Sequence, residues 1–117
     1  GPRAIEIALA TALTESGLRN LANSKDEVSL SLPNDGVGQD HDSVGPFQQR
    51  PSWGSTRERM TPMLSAGKFY DQLVKVHGYE SMPITVAAQT VQRSAFPDAY
   101  AKYADQAAAV YRAIVTG

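Results

Sequence analysis

The stretch "ALTESGLRN", residues 12–20, places a single carboxylate, Glu15, at the end of an alanine-rich apolar run. Upstream, Pro2 suits the first turn of a helix, because its missing N–H would be unpaired there in any case. Downstream, Gly17 is a favourable residue just beyond a helix end. The pattern therefore predicts a helix from Pro2 to about Ser16, with an acid in its last turn.

On that helix, Glu15 projects between Ala4 and Ala8, inside the apolar arc, at 100° per residue. Burial beside alanines and the negative end of the helix dipole both disfavour the charged carboxylate, so we expect a raised pKa. A carboxylic acid that keeps its proton near neutral pH can act as a general acid on a glycosidic bond. The alternative is a glutamate that meets water or a lysine at a frayed helix end.

The composition indicates one ordinary domain, residues 1–117, and excludes several kinds of site. A net charge of −1 and a charged fraction of 20% argue against nucleic acid or anionic lipid as a partner. Cysteine is absent, which excludes disulfides, cysteine-ligated zinc and thiol catalysis. No apolar stretch is long enough to cross a bilayer. We expect a monomer without a cofactor, excised from a longer protein that carries the targeting segment.

Residues 20–51 form a long polar excursion, rich in Asn, Asp, Ser and Gly. Within it, Val28, Leu30 and Leu32 alternate with serines, which is typical of a short strand in a β-hairpin flap closed by the "PNDG" turn. A plain mobile loop is the equal alternative. A connection of this length in a small domain is more often functional than accidental.

Helical patterns resume after the excursion. We expect helices that begin after Ser55, at Pro62 after Thr61, after Pro83 and at Pro97. The fold class is therefore mostly α, a small helical domain with one long polar loop or flap.

The segment "DSVGPFQQRP", residues 42–51, gives the carboxylate a context. Together, "ESGLRN" and "SVGPFQQRP" resemble the lytic transglycosylase branch of the lysozyme superfamily, found in bacterial and phage cell-wall enzymes. That branch carries a Glu-Ser motif at a helix end and then a Gly-Leu-Met-Gln-x-x-Pro-like motif. Gly45, Phe47, Gln48 and Pro51 match the glycine, methionine, glutamine and proline in order, whereas Pro46 replaces the leucine.

The resemblance implies a lysozyme-like fold in which the polar excursion walls a glycan cleft. It implies that Glu15 acts first as acid and then as base, that Ser16 supports the glutamate or the substrate, and that Gln48 contacts the sugar's N-acetyl group or the cleft wall. Trp53 is a candidate sugar-stacking platform or a partly buried loop anchor. The full substrate-binding set that we predict is Ser16, Phe47, Gln48, Gln49, Trp53, Gln89 and Gln92.

The sequence departs from the family pattern toward the carboxyl terminus. Where the family usually carries Ala-Tyr-Asn-x-Gly, this chain has "TVQRS", so Val91 replaces the tyrosine that steadies the acid and Gln92 replaces the asparagine. Gln89 and Gln92 share a helical face with Thr85 and could supply polar contacts. A solvated helix face is the alternative.

A second carboxylate would favour hydrolysis. The distance between the two carboxyl groups, about 5–9.5 Å, would then decide whether the configuration at the anomeric carbon is retained or inverted. Asp35, Asp40 and Asp42 are candidates, and Asp42 is favoured because it directly precedes the second motif. Otherwise the family lets the 6-hydroxyl of the substrate close a 1,6-anhydro ring. We predict no metal site, since His41 and His77 lie far apart in sequence and His41 suits a plain loop residue.

These observations predict an enzyme that acts on the glycan strands of peptidoglycan, outside the cell, in the wall or as part of a phage particle. Cleavage would fall between N-acetylmuramic acid and N-acetylglucosamine. The alternative, which Val91 favours, is a lysozyme-like module that binds glycan or serves a structural role in a phage tail or cell-wall assembly.

Overall fold

The computed structural model describes residues 2–92, 107–110 and 112–113. These residues are mostly helical, as the sequence predicts. The elements follow in the order α1 (Pro2–Ser16), β1 (Ala22–Asn23), α2 (Glu27–Ser31), β2 (Val37–Gly38), α3 (Thr56–Met60), α4 (Pro62–Leu73) and α5 (Ile84–Gln92). Short 3₁₀ turns cover Pro51–Trp53 and Tyr79–Ser81. Among the described residues, no helix combines the length and the apolar character that a membrane span requires.

The predicted helix starts are confirmed where the structure describes them. Helix α1 ends at Ser16, and Gly17 follows in the left-handed region with a φ of 65°. The Ser55 side chain accepts from the Glu58 N–H and Glu58 reciprocates, which forms a capping box at the start of α3. Helices α4 and α5 begin at Pro62 and directly after Pro83. The predicted start of the last helix at Pro97 lies outside the described residues, although 107–110 and 112–113 are helical.

The chain divides into two units, of which one comprises Gly1–Thr14 and Phe69–Gly117. Its buried apolar side chains come from α1, α4, α5 and the described C-terminal residues; they are Ala4, Ile7, Ala8, Ala10, Ala12, Phe69, Leu73, Ala87, Ala88, Val91 and Ala107. Most are alanines, which allow helix backbones to approach closely. A guanidinium N–H of Arg3 donates to the Met82 carbonyl at 2.6 Å and ties α1 to the segment that leads into α5.

The other unit, Glu15–Lys68, contains both motifs singled out by the sequence. Ala22, Val44 and Met60 form a buried apolar cluster, and Leu32 packs against it. Regular structure is sparse here, so the positions of the loops depend on the side-chain hydrogen bonds described below.

The predicted β-hairpin flap is wrong. Strands β1 and β2 pair in parallel, with Ala22 opposite Val37 and Asn23 opposite Gly38, and the segment between them forms α2. The Asp26 side chain caps α2 by accepting from the Ser29 N–H, and such capping favours a helix over the strand that the alternating pattern suggested. Parallel strands cannot be joined by a tight turn, so the connection has to cross over.

Candidate active site

Glu15 lies in the last turn of α1 and is half-buried. The residues that precede it on the same side of the helix, Ala4, Ala8 and Thr11, are all buried. The predicted inward side for Glu15 is therefore supported by the burial of its helical neighbours, and its partial exposure leaves it reachable from solvent.

The chain reverses directly after this helix through two successive left-handed residues, Gly17 with a φ of 65° and Leu18 with a φ of 64°. A non-glycine residue in this region costs about 1 kcal/mol. The reversal lets Arg19 donate to the Ser16 carbonyl twice, from its backbone N–H at 3.2 Å and from its side-chain Nε at 3.0 Å. The helix end is thus capped by one arginine.

The second motif forms a tight loop, residues 44–49, which we call the motif loop. Val44 and Gln49 close it through two backbone hydrogen bonds of 3.1 and 3.0 Å. Gly45, with a φ of 86°, and Gln48, with a φ of 48°, both adopt left-handed backbone. The N–H of Gly45 also donates to the Leu21 carbonyl at 2.8 Å, which attaches the loop to the chain that leaves α1.

Gly45 is required by close packing. A Cβ atom at this position would lie 2.0 Å from the Arg59 carbonyl oxygen, much closer than any real Cβ contact. Gly45 matches the glycine of the motif that the sequence resembles, and its environment supplies a physical reason for a residue without a side chain.

Ser16 joins the two motifs. Its hydroxyl donates to the Pro46 carbonyl at 2.7 Å, and the side chain is buried. The contact spans 30 residues of sequence and holds the motif loop against the helix end that carries Glu15. The structure thereby places the motif loop against the end of α1, at the residue that follows Glu15 in sequence.

The glutamines of the motif loop use their amide groups inside the protein. Gln48 donates from Nε2 to the Gly45 carbonyl at 2.9 Å, and Gln49 donates from Nε2 to the Ser65 carbonyl at 3.0 Å. Gln48 is 7% exposed, Gln49 is 1% exposed, and Phe47 is also buried. These contacts show how the three residues support the loop, and their predicted contact with substrate stays a prediction.

A largely buried ion pair lies beside the motif loop, and no pattern in the sequence indicates it. Arg59 Nη2 lies 3.2 Å from Asp26 Oδ2, with side-chain exposures of 3% and 14%. The same guanidinium donates to the carbonyls of Gln49 and Gly54, each at 3.0 Å. Thr56 adds a hydroxyl donor to Asp26 at 2.7 Å. The 33-residue separation of the two charges left no local signal by which the pair could be recognised.

Asn23 is a second supporting residue that the sequence did not reveal. Its buried amide nitrogen donates to the carbonyls of His41 at 2.9 Å and Ser43 at 3.1 Å. The turn that leads into the motif loop is therefore held by one side chain from β1.

Asp42, the favoured second carboxylate, forms an ion pair with Arg50 across the base of the motif loop, at 2.9 Å from Oδ1 to Nε. The hydrogen bond from Arg50 lowers the pKa of Asp42 below its ordinary value, although some desolvation opposes this. Asp42 is therefore an anion at neutral pH. That charge state suits a base or an electrostatic stabiliser and does not suit an acid.

The other acidic candidates have separate surroundings. Asp35 is exposed and accepts from the Asn20 N–H at 2.8 Å. Asp40 lies 3.8 Å from His41 Nε2, and both side chains are largely exposed. Within the part of the chain that the structure describes, no group of three or more His, Asp or Glu side chains could hold a metal ion.

The remaining predicted binding residues lie in two places. Trp53 is half-buried in the 3₁₀ turn that follows the motif loop. Gln89 and Gln92 lie on α5, in the other unit, and both are half-buried. Val91, on the same helix, is buried and brings no hydroxyl group.

Comparison with known proteins found no family model and no curated protein that matches this chain. The assignment of a function therefore depends on the residues of the site and on the resemblance of the two short motifs.

Proposed function

We propose that this domain cleaves the β-1,4 bond between N-acetylmuramic acid and N-acetylglucosamine in peptidoglycan, with Glu15 as the general acid and then the base. Its half-buried position beside the buried stripe of α1 supports this role, because restricted hydration favours a carboxyl group that holds its proton. We further propose that it acts as a monomer on the outer side of the cell membrane, as part of a wall enzyme or a phage particle.

The observation that carries the proposal is the buried hydrogen bond from Ser16 to the Pro46 carbonyl. Two motifs that are separated in sequence resemble the two motifs of lytic transglycosylases, and this bond joins them in space. If the two short motifs matched by chance, there would be no reason to expect them to lie together in the structure.

Two outcomes of the cleavage are open to this site. In hydrolysis a second carboxylate activates water, and Asp42 has the anionic state that this role needs. In the intramolecular route the 6-hydroxyl of the substrate attacks instead, and Glu15 alone transfers protons. We favour the intramolecular route, because the Asp42 carboxylate already accepts a hydrogen bond from Arg50.

The experiment that tests the function replaces Glu15 with Gln and measures clearing of a purified cell-wall suspension. The change is nearly isosteric and removes the proton donor, so we expect loss of clearing with an unchanged unfolding temperature. Glu6→Gln is the matched control, because Glu6 lies on the same helix and, among the described residues, pairs with Arg3 at 3.7 Å. Mass spectrometry of the products then separates 1,6-anhydro ends from reducing ends. Full clearing by the Glu15 variant would refute the assignment.

The second candidate function is a glycan-binding or structural module with little or no catalysis. Val91 favours it, because an apolar side chain stands where the family has the tyrosine that steadies the acid. Protein that pellets with cell walls but does not clear them would support this candidate over the enzyme.

A further inference from the structure

The cation next to the proposed acid suggests how the substrate is recognised. Arg19 is exposed, and its Nε is anchored on the Ser16 carbonyl at 3.0 Å. That carbonyl belongs to the residue after Glu15, so the guanidinium lies at the helix end that carries the acid. The hydrogen bond uses Nε and therefore leaves the terminal nitrogens available to bind a ligand.

The terminal nitrogens of Arg19 make no hydrogen bond or ion pair with any described residue, whereas three other cations in unit Glu15–Lys68 form ion pairs. Arg50 pairs with Asp42, Arg59 with Asp26, and Lys68 with Glu58. Arg19 is thus a fixed guanidinium with a free edge, a form suited to bidentate binding of an oxyanion.

The local backbone holds this arginine in place. Leu18 adopts a left-handed conformation that is unfavourable for a leucine, and its side chain is 44% exposed, so burial of that side chain does not explain the conformation. The left-handed conformation of Leu18 allows Arg19 to form both of its hydrogen bonds to the Ser16 carbonyl. A guanidinium with few accessible positions loses less entropy when it binds an anion.

We propose that Arg19 binds a carboxylate of the peptide stem that muramic acid carries, and so makes cleavage depend on stem-bearing strands. The inference rests on the proposed function, since it assumes a glycan placed at Glu15. The proposed ligand of Arg19 is the acidic peptide. Contact with the sugar is what the resemblance implies for other residues.

The test compares two soluble substrates, glycan strands with intact stems and strands whose stems an amidase has removed and whose freed lactyl carboxylates have then been converted to amides. Both are freed beforehand of phosphate-containing wall polymers. For Arg19→Gln we expect kcat/KM on stem-bearing strands to fall about tenfold, and that on bare strands to stay within about twofold. The loss should shrink as ionic strength rises, because salt screens an exposed charge pair. Arg57→Gln is the matched control, an exposed arginine of α3 without a side-chain contact to the described residues.

Arg19→Lys separates charge from capping. Lysine keeps the charge but loses both the Nε contact and the bidentate edge, so we expect it to retain only part of the preference for stems, whether or not the unfolding temperature drops. An equal loss on both substrates would show that Arg19 serves only the helix end. The same loss in Arg57→Gln would show that positive charge in general is responsible, and either result would overturn the inference.

Binding measurements keep this inference separate from the proposed function. In the Glu15→Gln background, Arg19→Gln should weaken binding of stem-bearing fragments about tenfold and leave binding of bare fragments unchanged. If the wild-type protein cleaves neither substrate, the proposed function fails while the binding result still decides the role of Arg19. Equal binding of both fragments by both proteins would overturn the inference.

Discussion

Replacement of Gly45 with alanine should destabilise the protein far more than the same change at two other glycines. The added Cβ would lie 2.0 Å from the Arg59 carbonyl oxygen, whereas ordinary contacts begin at 3.4 Å, so one backbone segment must move by about 1.4 Å. Overpacking of this kind typically costs 1–3 kcal/mol, and the left-handed φ of 86° adds about 1–2 kcal/mol. We therefore expect a loss of about 2–5 kcal/mol in the free energy of unfolding.

Alanine substitutions at two other glycines separate the cost of the close contact from the cost of the left-handed backbone. Gly78 has a φ of 76° but nothing within 4 Å of its Cβ position, so Gly78→Ala should cost only the backbone conformation, about 1–2 kcal/mol. Gly67 lies inside α4 with nothing within 4 Å, so Gly67→Ala should stabilise the protein by about 0.5–1 kcal/mol.

Urea denaturation of the three variants and the wild type, followed by circular dichroism, measures these free energies. Gly45→Ala should have the lowest free energy of unfolding and Gly67→Ala the highest, and the difference between Gly45→Ala and Gly78→Ala measures the cost of the close contact. If the two variants are equally stable within about 0.5 kcal/mol, the close packing of the motif loop on the Arg59 carbonyl is not a real constraint, and the account of this glycine is wrong.

Three further predictions concern the supports of the motif loop. Asp26→Asn leaves the buried Arg59 guanidinium without a counter-charge and should cost about 3–5 kcal/mol of unfolding free energy in urea denaturation; a loss below 1 kcal/mol would contradict a buried pair. The lowered pKa of Asp42 means that its contribution to stability is present above the ordinary value of 3.8 and is lost as pH falls through the lower folded value. A carboxyl NMR titration should therefore find a midpoint below 3.8 that rises in Arg50→Gln, and an unchanged midpoint would argue against the ion pair. Ser16→Ala removes the donor to a motif-loop carbonyl and should cost about 1–3 kcal/mol, with a fall in wall-clearing rate at temperatures where the variant is fully folded; unchanged clearing would argue against a positioning role.

The helix boundaries were predictable from the sequence because they depend on local chemistry. A proline in the first turn, a serine cap with a glutamate three residues later, and a glycine after the last turn each act within a few residues. The starts of α3, α4 and α5 and the end of α1 are accordingly confirmed.

The β-hairpin flap, one of the two alternatives predicted for the polar excursion, is wrong because two local signals compete there. Alternation of Val28, Leu30 and Leu32 favours a strand, whereas the Asp26 cap favours a helix. The short parallel pairing of β1 with β2 is a long-range contact, and no periodicity over a few residues encodes it. The helix forms because its capping bonds are local, while a hairpin would need both of its strands to pair.

The residues of the candidate site show the same difference between local signals and long-range contacts. Glu15 and the motif loop could be found from sequence, because short motifs mark them. Arg59 and Asn23 could not, because each acts on backbone carbonyls that are distant in sequence, and such bonds place almost no demand on the identity of the residues that accept them.

This distinction explains how the unit Glu15–Lys68 is held together with little regular structure. Ladder hydrogen bonds are few there, and side-chain donors from Ser16, Asn23 and Arg59 take their place on loop carbonyls. Each of these carbonyls would lose a buried bond if its donor were removed, so these bonds favour the observed arrangement of the motif loop and of the turn that leads into it. The proposed general-acid cleavage needs the acid and the glycan to meet within a few tenths of an ångström, and a loop held in place at the end of α1 would lower the ordering cost of binding. Substitution of any of the three donors should therefore lower both the rate of wall clearing and the stability of the protein. Substitution of Trp53, which lies outside this network, should weaken glycan binding and leave the fold intact.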